Sequence, residues 1–224
     1  MDARNMGRSR REFLRVASSA ALSASVLSGV RLAASTSCLP TGLCTSQVDF
    51  SQFAQTAFQT QQLPEWCWAA CISMIFAFYG HPVSQARIVS EVYGAPVNMP
   101  AVYGVQLASQ LNKKWTDDSG ACFRARLSGV YDAQAGVDTL TNADLVNELD
   151  GDHPVVIGSG GHAMVLTAMQ YWHTPGQPTV VSCGVFDPWP GRGARTLSPP
   201  EMLRTDMGGE LAFVATARVT DEDC

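Results

Sequence analysis

From Cys67 to Tyr79 the chain is apolar on every side, and Ser73 is the only frankly polar position. A run that is apolar all round predicts a helix buried at the centre of a domain rather than one lying on its surface. Gly80-His81-Pro82 stops it. Ser84 caps a second helix over Gln85 to Tyr93, closed by Gly94, and Pro100 opens a third that runs through Leu111. These helices, from Cys67 to Asn112, are expected to form one lobe. The period then changes. Phe123-Arg124-Ala125-Arg126-Leu127 alternates like a half-exposed strand. Thr141-Asn142-Ala143-Asp144 has the form of a capping box for a short helix ending near Leu149. Strands are predicted at Pro154 to Gly158, His162 to Gln170, Thr179 to Phe186 and Leu211 to Val219, with a turn at Thr174-Pro175-Gly176-Gln177-Pro178. Residues 36–60 read as an irregular arm. The predicted class is α+β, an N-terminal helical lobe packed on a C-terminal antiparallel β-sheet lobe.

The first 35 residues have a different pattern. Arg10-Arg11-Glu12-Phe13-Leu14-Arg15 forms a basic head, and Val16 to Val30 follows as a weakly apolar, small-residue segment. This pattern is an export signal, and its arginine pair before Phe-Leu resembles the twin-arginine type. Ala33-Ala34-Ser35 offers small residues for cleavage. The segment is too short and serine-rich for a membrane span. The expected organisation is therefore a leader over 1–35 and one domain over 36–224, exported to the periplasm or beyond the cell.

Past Ser35, nine basic residues stand against eighteen acidic ones. An acidic body without a lysine or arginine run argues against nucleic acid as a partner. All seven cysteines lie in this body: Cys38, Cys44, Cys67, Cys71, Cys122, Cys183 and Cys224. Seven is odd, so at least one thiol is left unpaired within the chain. With Cys67 free, the other six allow three bridges in an oxidising compartment. Cys38 and Cys44 are close enough for a small loop, Cys224 is placed to staple the tail, and Cys71 is a candidate buried thiol.

Cys67 stands where the Pro-bearing loop Gln61-Gln62-Leu63-Pro64-Glu65-Trp66 gives way to the buried helix. A thiol in the first turn sits at the positive end of the helix, which favours thiolate and therefore a nucleophile. His162 follows the glycines of Gly158-Ser159-Gly160-Gly161 and opens a strand; it is the candidate general base and acid. His81, His153 and His173 sit in turns and are expected to face solvent. Asp187 closes another strand before Pro188-Trp189, and it is the candidate carboxylate that orients the histidine. Trp189 is placed to cover that pair, and Trp68 and Trp189 are the expected substrate contacts. Gln61 and Gln62 are both candidates for an amide that, with the Cys67 N–H, holds an oxyanion.

Gln61…Cys67-Trp68-Ala69-Ala70, Gly161-His162-Ala163 and Asp187-Pro188 together resemble the bacterial papain-like cysteine peptidases, in particular the compact C39-like and C70-like groups. The resemblance spans about residues 55–220. It implies Cys67 as nucleophile, His162 as base, Asp187 as orienting residue and Gln61 as oxyanion donor. The implied reaction is hydrolysis of a peptide or isopeptide bond through a thioester, with no cofactor and no metal, acting on peptide or protein substrates. Aspartate stands where many larger papains carry asparagine, and no inhibitory pro-region is recognisable. Two other readings use the same scaffold: an acyltransferase or transglutaminase-type enzyme that resolves the thioester with an amine, and an exported binding protein without turnover.

Overall fold

The computed structural model describes residues 35–102, 104–174 and 176–224; the leader expected over 1–35 lies outside them as far as Ala34. From Ser35 the chain forms not an irregular arm but a hairpin, β1 (Ser35–Cys38) and β2 (Leu43–Gln47). Cys38 lies opposite Cys44, and a disulfide joins them. The hairpin is hidden in the sequence because its inward positions on β2 are Cys44 and Ser46, not Val or Ile. Ser46 is buried within reach of the Tyr171 hydroxyl at 3.4 Å, so a polar residue passes as a core residue.

A short turn of helix, α1 (Phe50–Gln52), continues into a π turn at Phe53–Ala57. The three predicted helices follow as α2 (Cys67–Phe78), α3 (Gln85–Tyr93) and α4 (Gly104–Gln110). Gly94 ends α3 in the left-handed region, at φ 76°. The third helix starts later than Pro100, because residues 95–100 are taken up as an irregular strap over the start of α2. The remaining elements are β3 (Lys114–Thr116), β4 (Cys122–Asp132), β5 (Val137–Asp138), α5 (Asn142–Asp150), β6 (Val155–Ser159), β7 (His162–Trp172), β8 (Thr179–Asp187), β9 (Gly193–Thr196), α6 (Pro199–Met202) and β10 (Leu211–Asp221). Thr141 and Asp144 form the capping box that opens α5.

The strands pair antiparallel in one sheet, in the order β1-β2-β7-β6-β10-β4-β3, with β5 on β4, β8 on β7 and β9 on β8. The class is α+β. β7 is the hub: its first half pairs with β6, its second half with β2, and β8 runs along the other edge. α2 lies against β7 and β6 and buries nearly its whole circumference, as its composition requires. Phe53 joins the two layers, packing on Phe78 of α2 and Phe186 of β8 with ring centroids 5.6 and 4.7 Å apart. Among the described residues, no helix is long and apolar enough to cross a membrane.

The cysteines form two bridges rather than three. Cys122–Cys224 joins the start of β4 to the segment beyond β10, while Cys67, Cys71 and Cys183 are free. Cys71 and Cys183 sit inside the hydrophobic core, with no second thiol bonded to either. His81 departs from its expected solvent position. It is buried, stacks on Phe123 at 4.5 Å, and lies between Asp117 at 3.2 Å and Asp221 at 3.1 Å. Neighbouring carboxylates make burial of an imidazole affordable, which position in a turn could not reveal.

β6 and β7 are joined by a two-residue turn in which Ser159 pairs with His162. Gly160 and Gly161 both have positive φ, 58° and 77°, as a tight hairpin turn of the favoured twist demands. A Cβ at Gly160 would also approach the Glu210 carboxylate to 3.0 Å, whereas one at Gly161 would meet open space. Gly161→Ala is therefore expected to lower stability by about 1–2 kcal/mol through backbone strain alone. Urea unfolding followed by circular dichroism measures it.

Candidate active site

The sheet register brings His162 and Asp187 together. Val165 of β7 pairs with Phe186 of β8. Continuing one step sets Met164 opposite Asp187, and His162 shares the face of Met164 because side chains alternate with period two. His162 is thus the diagonal neighbour of Asp187 across the strands. Its Nε2 lies 2.7 Å from Asp187 Oδ1. β9 extends the same face. Arg195 pairs with Val185 and Gly193 with Asp187, so Arg195 is the diagonal neighbour of Asp187 on its other side. Arg195 Nε donates to Asp187 Oδ2 at 2.8 Å.

α2 brings Cys67. The loop before it is held by amides: Gln85, fully buried on α3, accepts from Gln62 N at 3.0 Å and donates to Gln59 Oε1 and Thr60 O at 2.8 and 2.9 Å. Gln61 N donates to Pro188 O at 2.8 Å, which ties this loop to the turn that follows Asp187. Cys67 is the first residue of α2, so its N–H belongs to the helix's unpaired first turn and points out of the helix end. The indoles on either side anchor the strap: Trp66 Nε1 donates to Val97 O at 2.9 Å and Trp68 Nε1 to Met99 O at 3.1 Å.

Cys67, His162 and Trp189 meet in one pocket, whose wall also includes Pro64, Glu65 and the Ser159–Gly161 turn. Trp189 is 45 % exposed and stands edge-on to the His162 ring, with centroids 6.0 Å apart. Two expected site residues are placed elsewhere. Trp68 is buried in the core and cannot reach a substrate, because its ring fills the space under the strap. Gln61 does not line the pocket; its side-chain amide donates to Leu63 O at 3.1 Å and Pro64 O at 2.7 Å, which uses both hydrogens to hold the turn. Gln62 is exposed and contributes its backbone to Gln85.

The electrostatics follow from this packing. Burial alone would lower the proton affinity of His162. The hydrogen bond to Asp187 and the nearby Cys67 sulfur, with the charges of both, outweigh burial and push its pKa up to about 9. With Nε2 on Asp187, Nδ1 is the ring nitrogen left for the sulfur. Burial would raise the Asp187 pKa, yet donors from His162, the Trp189 backbone and Arg195 hold it well below the usual carboxylate range. Burial pushes the Cys71 thiol well up, helped by nearby Cys67 and Asp187, and pushes Cys183 up to about 12. Chemically, the pocket offers a sulfur, a proton carrier beside it, and unpaired backbone N–H at a helix end. Among the described residues, no group of three or more His, Cys, Asp or Glu is arranged to hold a metal ion.

Arg195 was not singled out by the sequence. Gly193-Ala194-Arg195-Thr196 is too short and too polar to register as a strand, and the one available cue is a cation eight residues after a strand-ending carboxylate. Of the three free thiols, the one at the pocket is open to reagent. Brief iodoacetamide treatment of the native protein should modify Cys67, with Cys71 and Cys183 modified only after unfolding, as read by peptide mass spectrometry.

No curated protein matches the chain. Residues 47–198 match the profile of the Peptidase_C39 like family, a stretch that includes α2, the β6–β7 turn and the end of β8. The chain belongs to this family of bacterial papain-like cysteine peptidases.

Proposed function

We propose that this protein is an exported cysteine peptidase that cleaves peptide or isopeptide bonds, with Cys67 as nucleophile, His162 as general base and acid, and Asp187 as the orienting carboxylate. The observation that carries the reading is one imidazole ring held by Asp187 at 2.7 Å and lining a single pocket with Cys67. Family membership supports the hydrolase class and protein substrates. Two disulfides suit an oxidising compartment, and the leader over 1–35, with the mature domain over 36–224, completes the export reading. The papain-like arrangement of a helical lobe on a sheet lobe is part of the same proposal, with α2 of the first and β7–β8 of the second supplying the reactive groups.

In the proposed reaction the Cys67 thiol passes its proton to His162 Nδ1. The sulfur then attacks the carbonyl carbon, forming a C–S bond, and the carbonyl electrons move to oxygen. The N–H of Cys67, in the first turn of α2, is placed to stabilise that oxyanion. As the tetrahedral species collapses the C–N bond breaks, and His162 gives its proton to the departing amine. Water then yields a proton to His162 and attacks the thioester; the acid leaves, and the sulfur regains its proton. Asp187 holds Nε2–H throughout, which fixes the ring plane and steadies the imidazolium. Trp189 covers the ring edge and limits solvent there.

On this reading, Cys67→Ala abolishes peptidase activity, and His162→Ala lowers kcat/KM by about 10²–10⁴-fold. Asp187→Asn has a smaller effect, since an amide still accepts from Nε2–H through its oxygen. The pH profile gives an independent check. The imidazolium is present below its raised pKa and lost above it, so activity should fall as pH rises through about 9. Assays of a fluorogenic peptide library on the exported protein measure both. Undiminished turnover by Cys67→Ala would remove the proposal.

A further inference from the structure

Asp187 is fully buried. A carboxylate there stays ionised only if donors and a nearby cation replace the water it has lost. A neutral amide would orient His162 without that requirement, so aspartate in this place has to be paired. Its Oδ1 accepts from His162 Nε2 at 2.7 Å and from Trp189 N at 2.9 Å. Its Oδ2 accepts from Arg195 Nε at 2.8 Å and, more loosely, from Arg192 Nη1 at 3.3 Å. The Arg192 side chain is 55 % exposed, whereas that of Arg195 is 22 % exposed and held between Asp187 of β8 and Glu201 of α6.

A lone guanidinium here would create the opposite difficulty, because it would cancel the pull of Asp187 on the imidazolium. Glu201 prevents this. It takes Arg195 Nη2 on Oε1 at 2.6 Å and Nη1 on Oε2 at 3.1 Å, a bidentate pair. Glu201 is in turn fixed by Ser198, whose backbone N and Oγ each lie 2.8 Å from Oε2. Charge therefore alternates outward from the pocket: His162, Asp187, Arg195, Glu201.

We propose that Arg195 is a positioning residue for the site, holding the buried Asp187 carboxylate ionised and aimed at His162 while Glu201 absorbs the positive charge that would oppose the imidazolium. This rests on the reading of Cys67, His162 and Asp187 as one reactive unit. Its consequence is a site that keeps working at acidic pH. The titratable or charged groups facing Asp187 are His162 from β7, Arg195 from β9, Arg192 from the β8–β9 loop, and Cys67 and Cys71 from α2. Of these, Arg195 is the permanent cation less exposed to solvent than Arg192.

The test is the rate of Cys67 alkylation by iodoacetamide from pH 3.5 to 10, located by mass spectrometry, with melting curves for every variant. Arg195→Met should move the acid limb up by about one pH unit or more and slow alkylation at pH 5 about tenfold, with Arg195→Lys recovering most of the loss. Glu201→Gln leaves the Arg195–Asp187 contact in place and should instead lower the pH at which the His162 ring loses its second proton, followed by ¹⁵N NMR. Wild-type limbs in a folded Arg195→Met protein would overturn the inference. Should that variant fail to fold, an unmoved His162 ring titration in Glu201→Gln would do the same. A wild-type protein whose Cys67 reacts no faster than a free thiol at any pH would sink the reading of the reactive unit itself, an outcome distinct from either.

Discussion

The antiparallel register of β7 with β8 is the constraint on which the site depends. Because Val165 pairs with Phe186, the first residue of β7 and the last residue of β8 become diagonal neighbours on one face. A one-residue slip would turn His162 to the opposite face and strand Asp187 as an unpaired buried carboxylate. Two features pin the register. Gly160 and Gly161 fix where β7 begins, and β2, β6 and β8 all bond to β7 along its length. The strand that presents the imidazole is thus among the least free to move.

The sulfur arrives by a different route, and its placement is a matter of backbone hydrogen bonds rather than strand pairing. α2 is fixed by burial around its circumference, but its first turn is set by the loop ahead of it. Gln85 satisfies three groups of that loop from inside the core, and Gln61 N bonds to the carbonyl of Pro188. That last bond links the loop before Cys67 directly to the turn after Asp187. The helix end and the sheet face are thus tied by a bond outside the pocket, whose lining includes Trp189, Glu65 and Arg192.

Much of this was legible in the chain. The all-apolar run beginning at Cys67 gave the central helix to within a residue of its observed end, because burial on every side leaves no other reading. The strands carrying His162 and Asp187 were visible from apolar runs bounded by glycine and proline. What stayed hidden was polar. The β1–β2 hairpin uses a disulfide cysteine and a hydrogen-bonded serine as its inward residues; β9 is four residues long; His81 is buried between carboxylates that are distant in sequence. Trp68 and Gln61 are placed apart from the pocket lining for a related reason. Beside a candidate nucleophile an aromatic reads as a substrate contact and an amide as an oxyanion donor, yet here both bond to the backbone around Cys67.

In the proposed site the His162 ring owes its raised proton affinity to Asp187 and Cys67 together, and ¹⁵N NMR of that ring addresses this directly. In the untreated protein the ring should carry both protons at neutral pH and titrate near 9, and alkylation of Cys67 should lower that midpoint. A ring that is neutral at pH 7, titrates near the ordinary histidine value and ignores alkylation of Cys67 would contradict it.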